Sequence, residues 1–103
     1  MKKFWMGVAG FLASAALVFG VAGSASATTE YPPEGGTWEY GVIEPASTVF
    51  VYSHYYHPTT LHRSSVRTTS GTLYRSPDKA GGQWANVDKE TGYYNNKAYY
   101  YRY

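Results

Sequence analysis

The stretch Ser47–Tyr56, STVFVYSHYY, decides the fold. Thr48, Val49 and Val51 are β-branched, and Phe50, Tyr52, Tyr55 and Tyr56 are aromatic. Such side chains fit a pleated, half-buried surface and lose rotamer freedom in a helix. A strand is therefore predicted here, bounded by turn signals on both sides. Glu44-Pro45-Ala46 interrupts the chain before it, and His57-Pro58-Thr59-Thr60 forms a turn after it.

The neighbouring segments repeat the pattern. Gly36–Val42 (GTWEYGV) alternates Trp38 and Tyr40 with Thr37 and Glu39, the period of a half-buried strand. Leu61–Thr69 reads as a more polar strand lying across a hairpin, and Ser70-Gly71 turns it. Thr72–Arg75 and Gln83–Asp88 are short strands separated by the turn-rich Ser76–Gly82, and Tyr93–Tyr103 closes the chain. No segment after Ala27 sustains a 3.6-residue apolar period. The expectation is an all-β fold over residues 36–103, a small antiparallel β-sandwich of about six short strands. Residues 28–35 (TTEYPPEG) read as a flexible leader. The final strand carries Tyr99, Tyr101 and Tyr103 on one face and would invite aggregation as an open edge. It is expected to pair internally or with a second copy.

Residues 1–27 read differently. Lys2 and Lys3 precede an apolar run from Phe4 to about Ala22, and Ala25-Ser26-Ala27 offers a small-x-small cleavage signal. This predicts a signal peptide cleaved after Ala27 and a secreted product. The run is long enough to span a bilayer, but glycines interrupt it and Thr28, Thr29 and Glu30 follow in place of a basic stop-transfer cluster. A helix over this segment in a full-chain structure would say nothing about the mature fold.

A secreted domain this small usually relies on disulfides or a metal, yet the chain has no cysteine. Twelve tyrosines, Trp38, Trp84 and Phe50 are the natural substitute, since each buried ring removes roughly 150–250 Å² from water. The formal charge of +2 comes from Lys2 and Lys3; the rest of the chain carries seven acids and seven bases. That argues against a nucleic-acid partner, and no cationic amphipathic helix is present for membrane insertion. Charge is nonetheless polarised along the chain, with Glu30, Glu34, Glu39 and Glu44 early and Arg63, Arg67 and Arg75 later.

All three histidines fall in Tyr52–His62, YSHYYHPTTLH. Three imidazoles and a carboxylate would suit zinc, but neither HExxH nor a cysteine pair accompanies them. Serines are close by, yet no Gly-x-Ser-x-Gly elbow is present and no acid lies between Glu44 and Asp78. We read no catalytic residue, no metal site and no cofactor here. Two roles stay open: packing at a hairpin end, and a binding surface of rings and donors for sugars, pyrophosphates or lipid headgroups. Arg63 and Arg67 are available as phosphate partners in the second role.

The spacing resembles the lactococcin 972 family of bacteriocins. The similarity begins at Gly36-Thr37-Trp38 with Gly41, and is sharpest at Tyr52-Ser53-x-Tyr55-x-His57, with four residues between His57 and His62 and three between His62 and Val66. It resumes at Ala80-Gly81 and Trp84-Ala85, with one extra residue between the two pairs, and ends in the tyrosine-rich tail. The resemblance implies a secreted, unmodified bacteriocin: a β-sandwich that associates as a homodimer, binds the cell-wall precursor lipid II and blocks septum formation without making pores. Ligand contacts are then expected among Trp38, Tyr52, Tyr55, His57, His62, Arg63 and Trp84. The rival expectation is a secreted, non-enzymatic adhesion module that pairs its tyrosine strand with a partner edge.

Overall fold

Alternation along Phe50–His57 sorts that strand into two faces. Val51, Ser53, Tyr55 and His57 are buried, while Phe50, Tyr52, His54 and Tyr56 are half-buried on the other side. This strand is the centre of the computed structural model, which describes residues 14–18 and 26–103. The described strands are β1 (Ser14–Val18), β2 (Ser26–Glu30), β3 (Thr37–Ile43), β4 (Phe50–His57), β5 (His62–Arg67), β6 (Leu73–Arg75), β7 (Gln83–Glu90) and β8 (Asn96–Arg102). They form two four-stranded sheets, in the orders β2-β3-β4-β7 and β1-β8-β5-β6. Every pairing is antiparallel.

The all-β sandwich expected from the sequence is present, with three differences. First, the segment after β4 is not a hairpin turn. β4 pairs with β3 and β7, whereas β5 pairs with β6 and β8, so His57–His62 carries the chain from one sheet to the other. Second, the leader is ordered. Ser26–Glu30 pairs with β3, and three inward tyrosines donate to the residues that follow: Tyr40 to Glu30 Oε2 (2.5 Å), Tyr55 to the Gly35 carbonyl (2.7 Å) and Tyr100 to Glu34 Oε1 (2.7 Å). A buried phenol needs a partner for its hydroxyl, and this segment supplies it. Third, Ser14–Val18, within the expected signal peptide, is a strand that pairs with β8 from Ser14↔Tyr100 to Val18↔Asn96. The rest of the expected signal peptide, 1–13 and 19–25, lies outside the described residues.

Rings dominate the core between the sheets. Trp38 lies 4.1 Å from Tyr40 and 4.7 Å from Tyr100, centroid to centroid, and Tyr55 lies 4.9 Å from Tyr100. Val42, Val51, Val66, Val87 and Ala98 fill around them. Two buried serines tie the layers. Trp38 Nε1 donates to Ser53 Oγ (2.9 Å), which donates to the Tyr99 carbonyl of the opposite sheet (2.8 Å). From the other side, the Ser64 hydroxyl reaches the Ser53 and Ala85 carbonyls at 2.8 and 2.7 Å. At Gly36 the chain takes φ +90°, and a Cβ there would sit 2.0 Å from the Tyr56 carbonyl oxygen. Only glycine permits both that conformation and that approach.

Candidate functional site

The seven residues expected to contact a ligand do not share one surface. Trp38, Tyr55, His57 and His62 are buried in the core, at 5% exposure or less. Tyr52 and Trp84 lie on the outer face of the first sheet, and Arg63 on the outer face of the second.

The buried histidines hold the crossover between the sheets. His57 Nδ1 faces the amides of Thr59 and Thr60, both at 3.2 Å. Amides only donate, so Nδ1 accepts and Nε2–H donates to the Glu34 carbonyl at 3.0 Å. His62 spans two carbonyls, with Nδ1 at 2.8 Å from Thr60 O and Nε2 at 2.7 Å from Gln83 O. A neutral imidazole donates to only one of them. Both ring nitrogens of His57 are thus bonded to backbone, and both of His62 face backbone carbonyls. Among the described residues no group of three potential ligands is placed to hold a metal ion. His54 points the other way and meets Asp88, Nε2 to Oδ1 at 2.6 Å. That acid is distant in sequence and was invisible to a local reading of the histidine cluster. Ser53 lies on the opposite face of β4 with its hydroxyl already bonded, so Ser53, His54 and Asp88 do not form a nucleophile–base–acid array.

Register fixes what each outer face presents. On the first sheet, Glu39↔His54↔Asn86, Tyr52↔Asp88, Phe50↔Glu90 and Tyr56↔Trp84 run across the strands. Rings and carboxylates alternate there, with Tyr56 and Trp84 5.5 Å apart and no lysine or arginine among the outward residues. Burial, followed by the Glu39 and Asp88 charges, pushes the Tyr52 phenol above its usual range. On the second sheet, Arg63↔Tyr101, Ser65↔Tyr99, Arg67↔Lys97, Ser65↔Arg75 and Arg67↔Leu73 place four cations on one face. No acid lies among the outward residues of β5, β6 and β8. The nearest carboxylate is Asp78, 4.0 Å from Arg63. Arg63 also stacks on Tyr101 and Tyr103, 4.8 and 5.7 Å from the ring centroids, and donates to Tyr103 Oη at 2.8 Å.

A cavity of about 160 Å³ opens on this face, lined by Arg63, Ser65, Arg67, Arg75, Tyr99 and Tyr101 among others. Arg63 and Arg67 were legible as phosphate partners. Arg75, Lys97 and Tyr99 join them only through cross-strand register, and the signal available in sequence was the even spacing of Arg63, Ser65 and Arg67 on a strand. The face suits an anion bearing several oxygens, because guanidinium presents a planar fork to phosphate and carboxylate.

Comparison with known proteins gives one match. A protein-family model described as Bacteriocin (Lactococcin_972) covers residues 34–100, more than half of the chain. No curated protein and no solved structure matches.

Proposed function

The chain belongs to the lactococcin 972 family of bacteriocins, and from that premise we propose that it is a secreted antibacterial protein acting on the cell envelope of related Gram-positive bacteria. It binds the wall precursor lipid II and so halts septum synthesis. Residues 1–27 direct export and are removed after Ala27. The observation carrying this reading is the family match over residues 34–100. The two-faced surface supports it: one face holds arginines and tyrosines, the other holds rings and carboxylates. Tyr52, Trp84 and Arg63 are the expected contact residues that remain accessible. Trp38, Tyr55, His57 and His62 act through the fold. The processed protein pairs with a second copy along β8, whose outer neighbour β1 lies within the removed segment.

The test adds the protein, in its naturally processed form, to growing Gram-positive cells. It also measures binding and dye release with vesicles that do or do not contain lipid II. Growth arrest with failed septation, lipid II-dependent binding and retained dye are expected. Normal growth together with equal binding to both vesicles refutes the proposal and favours the adhesion reading.

A further inference from the structure

The arginines of the second sheet are arranged around one residue. Ser65 is 7% exposed and faces outward at the floor of the cavity. Arg63 and Arg67 precede and follow it by two residues on β5, so all three side chains share a face. Ser65 is paired to Arg75 on one side and to Tyr99 on the other. Arg75 is therefore diagonal to both Arg63 and Arg67, at about 7–8 Å in such a lattice. Among the described residues the hydroxyls of Ser65 and Tyr99 make no hydrogen bond within the protein, and the Arg75 guanidinium has neither hydrogen bond nor ion pair there. Arg67 gives one Nη1 bond to the Gly71 carbonyl at 2.7 Å and keeps its remaining donors.

Nothing in the fold asks for this cluster. Like charges on adjacent strands repel, and among the described residues the one carboxylate in ion-pair reach of the cluster is Asp78, beside Arg63. The other outward acids, Glu39, Asp88 and Glu90, lie on the far side of the sandwich. We propose that the outer face of the second sheet is a binding site for a pyrophosphate group, with Arg63, Arg67 and Arg75 around it and the Ser65 and Tyr99 hydroxyls donating from the floor. A two-phosphate anion fits better than one phosphate. Arg63 and Arg67 are about 13 Å apart along the backbone, and Arg75 stands between them. A group with oxygens at both ends touches all three forks; a single phosphate must choose.

Free pyrophosphate and a pyrophosphate-bearing lipid headgroup share this chemistry. The site stands on the geometry alone; only the identity of the carrier rests on the lipid II reading.

The experiment titrates the naturally processed protein with sodium pyrophosphate and, separately, sodium phosphate, by calorimetry and by amide chemical shifts. Saturable pyrophosphate binding at least tenfold tighter than phosphate is expected, with shifts centred on Ser65, Arg75 and Tyr99. Arg75→Gln and Ser65→Ala each weaken it at least fivefold, while Lys89→Gln, a charge removed elsewhere, leaves it unchanged; circular dichroism confirms that each variant is folded. Arg67→Gln replaces Ser65→Ala if the latter unfolds. Tighter binding to vesicles carrying a polyprenyl pyrophosphate than to free pyrophosphate identifies a lipid carrier; equal binding identifies the free anion. Absent saturation, or equal losses from Arg75→Gln and Lys89→Gln, overturns the site. Growth inhibition without pyrophosphate binding removes this inference and keeps the bacteriocin activity; binding without inhibition does the reverse.

Discussion

Replacing Ser53 with alanine tests how the two sheets are held together without a disulfide. Ser53 is fully buried and joins Trp38 Nε1 to the Tyr99 carbonyl. Alanine removes the acceptor and the donor together. The indole N–H sits on a residue 1% exposed, where water cannot replace the lost partner. An orphaned buried donor costs about 1–3 kcal/mol, and the lost bond to Tyr99 about 0.5–1.5 kcal/mol more. The expected loss is therefore roughly 2–4 kcal/mol, from a domain whose whole stability is on the order of 4–11 kcal/mol. Urea unfolding followed by tryptophan fluorescence measures it. With an m-value near 1 kcal/mol/M, the midpoint should fall by roughly 2–4 M and the slope should hold. A double-mutant cycle isolates the cause. In a Trp38→Phe background the N–H is gone, so Ser53→Ala should cost about 1–2 kcal/mol less than in the parent. A loss below about 0.5 kcal/mol, or the same loss in both backgrounds, would show that the serine bridge does not hold the layers.

Three further outcomes follow from the geometry. Burial, then the Glu30 hydrogen bond and charge, pushes the Tyr40 phenol from 10.0 up to about 12, and burial raises Tyr55 as well. The folded state thus favours the neutral phenol. Its contribution is complete below the unfolded value of 10.0 and is lost as pH climbs towards about 12. Ultraviolet titration should show these two tyrosines ionising only as the fold is lost; twelve phenols titrating together near 10 with the circular dichroism intact would contradict it. Gly36→Ala should abolish folding, whereas Gly71→Ala, also at φ +90° but with nothing within 4 Å, should cost about 1–2 kcal/mol; equal effects in thermal melts would refute the close approach. Finally, sedimentation of the processed protein should show a concentration-dependent dimer, with amide exchange slowed along Asn96–Tyr100. A monomer with rapid exchange in that strand would mean that its edge stays open.

Strand positions were legible because alternation reports directly on burial. Val51, Ser53, Tyr55 and His57 face inward as their spacing demands. Alternation does not report which sheet a strand joins, so β4 and β5 read as a hairpin although His57–His62 passes between layers. The leader misled for a related reason. Its prolines, glycines and acids resemble a solvated tail, but Glu30, Glu34 and Gly35 are the partners of buried phenols whose needs appear only once the core is assembled. Rings were expected to fill the core, and Trp38, Tyr40, Tyr55 and Tyr100 do while Trp84, Tyr31, Tyr74, Tyr94 and Tyr103 are exposed; the serine ties between layers were not foreseen, because a serine in a strand carries no mark of what faces it. The histidine cluster drew attention by composition; two of its members serve the crossover and the third pairs with Asp88. The cation cluster had no such local signature, since Arg75 and Lys97 reach Arg67 only through pairing.

Net charge also conceals what the fold does with it. The part of the chain after Ala27 balances its acids and bases, yet outward residues sort the cations to one sheet and Glu39, Asp88 and Glu90 to the other. Packed sheets lie about 10 Å apart, and outward side chains on both sides lengthen that path. At physiological ionic strength the Debye length is about 8 Å, so an anion docked on the arginine face is largely shielded from the opposing carboxylates. At about 0.01 M salt the screening length grows to roughly 30 Å, and both faces act on the same approaching ion. Lowering salt should therefore strengthen anion binding less than three or four cations on a uniformly basic protein would. This arrangement favours selection at contact over long-range attraction. A flat β-face can read a fixed headgroup in that way without first being drawn to every anionic surface.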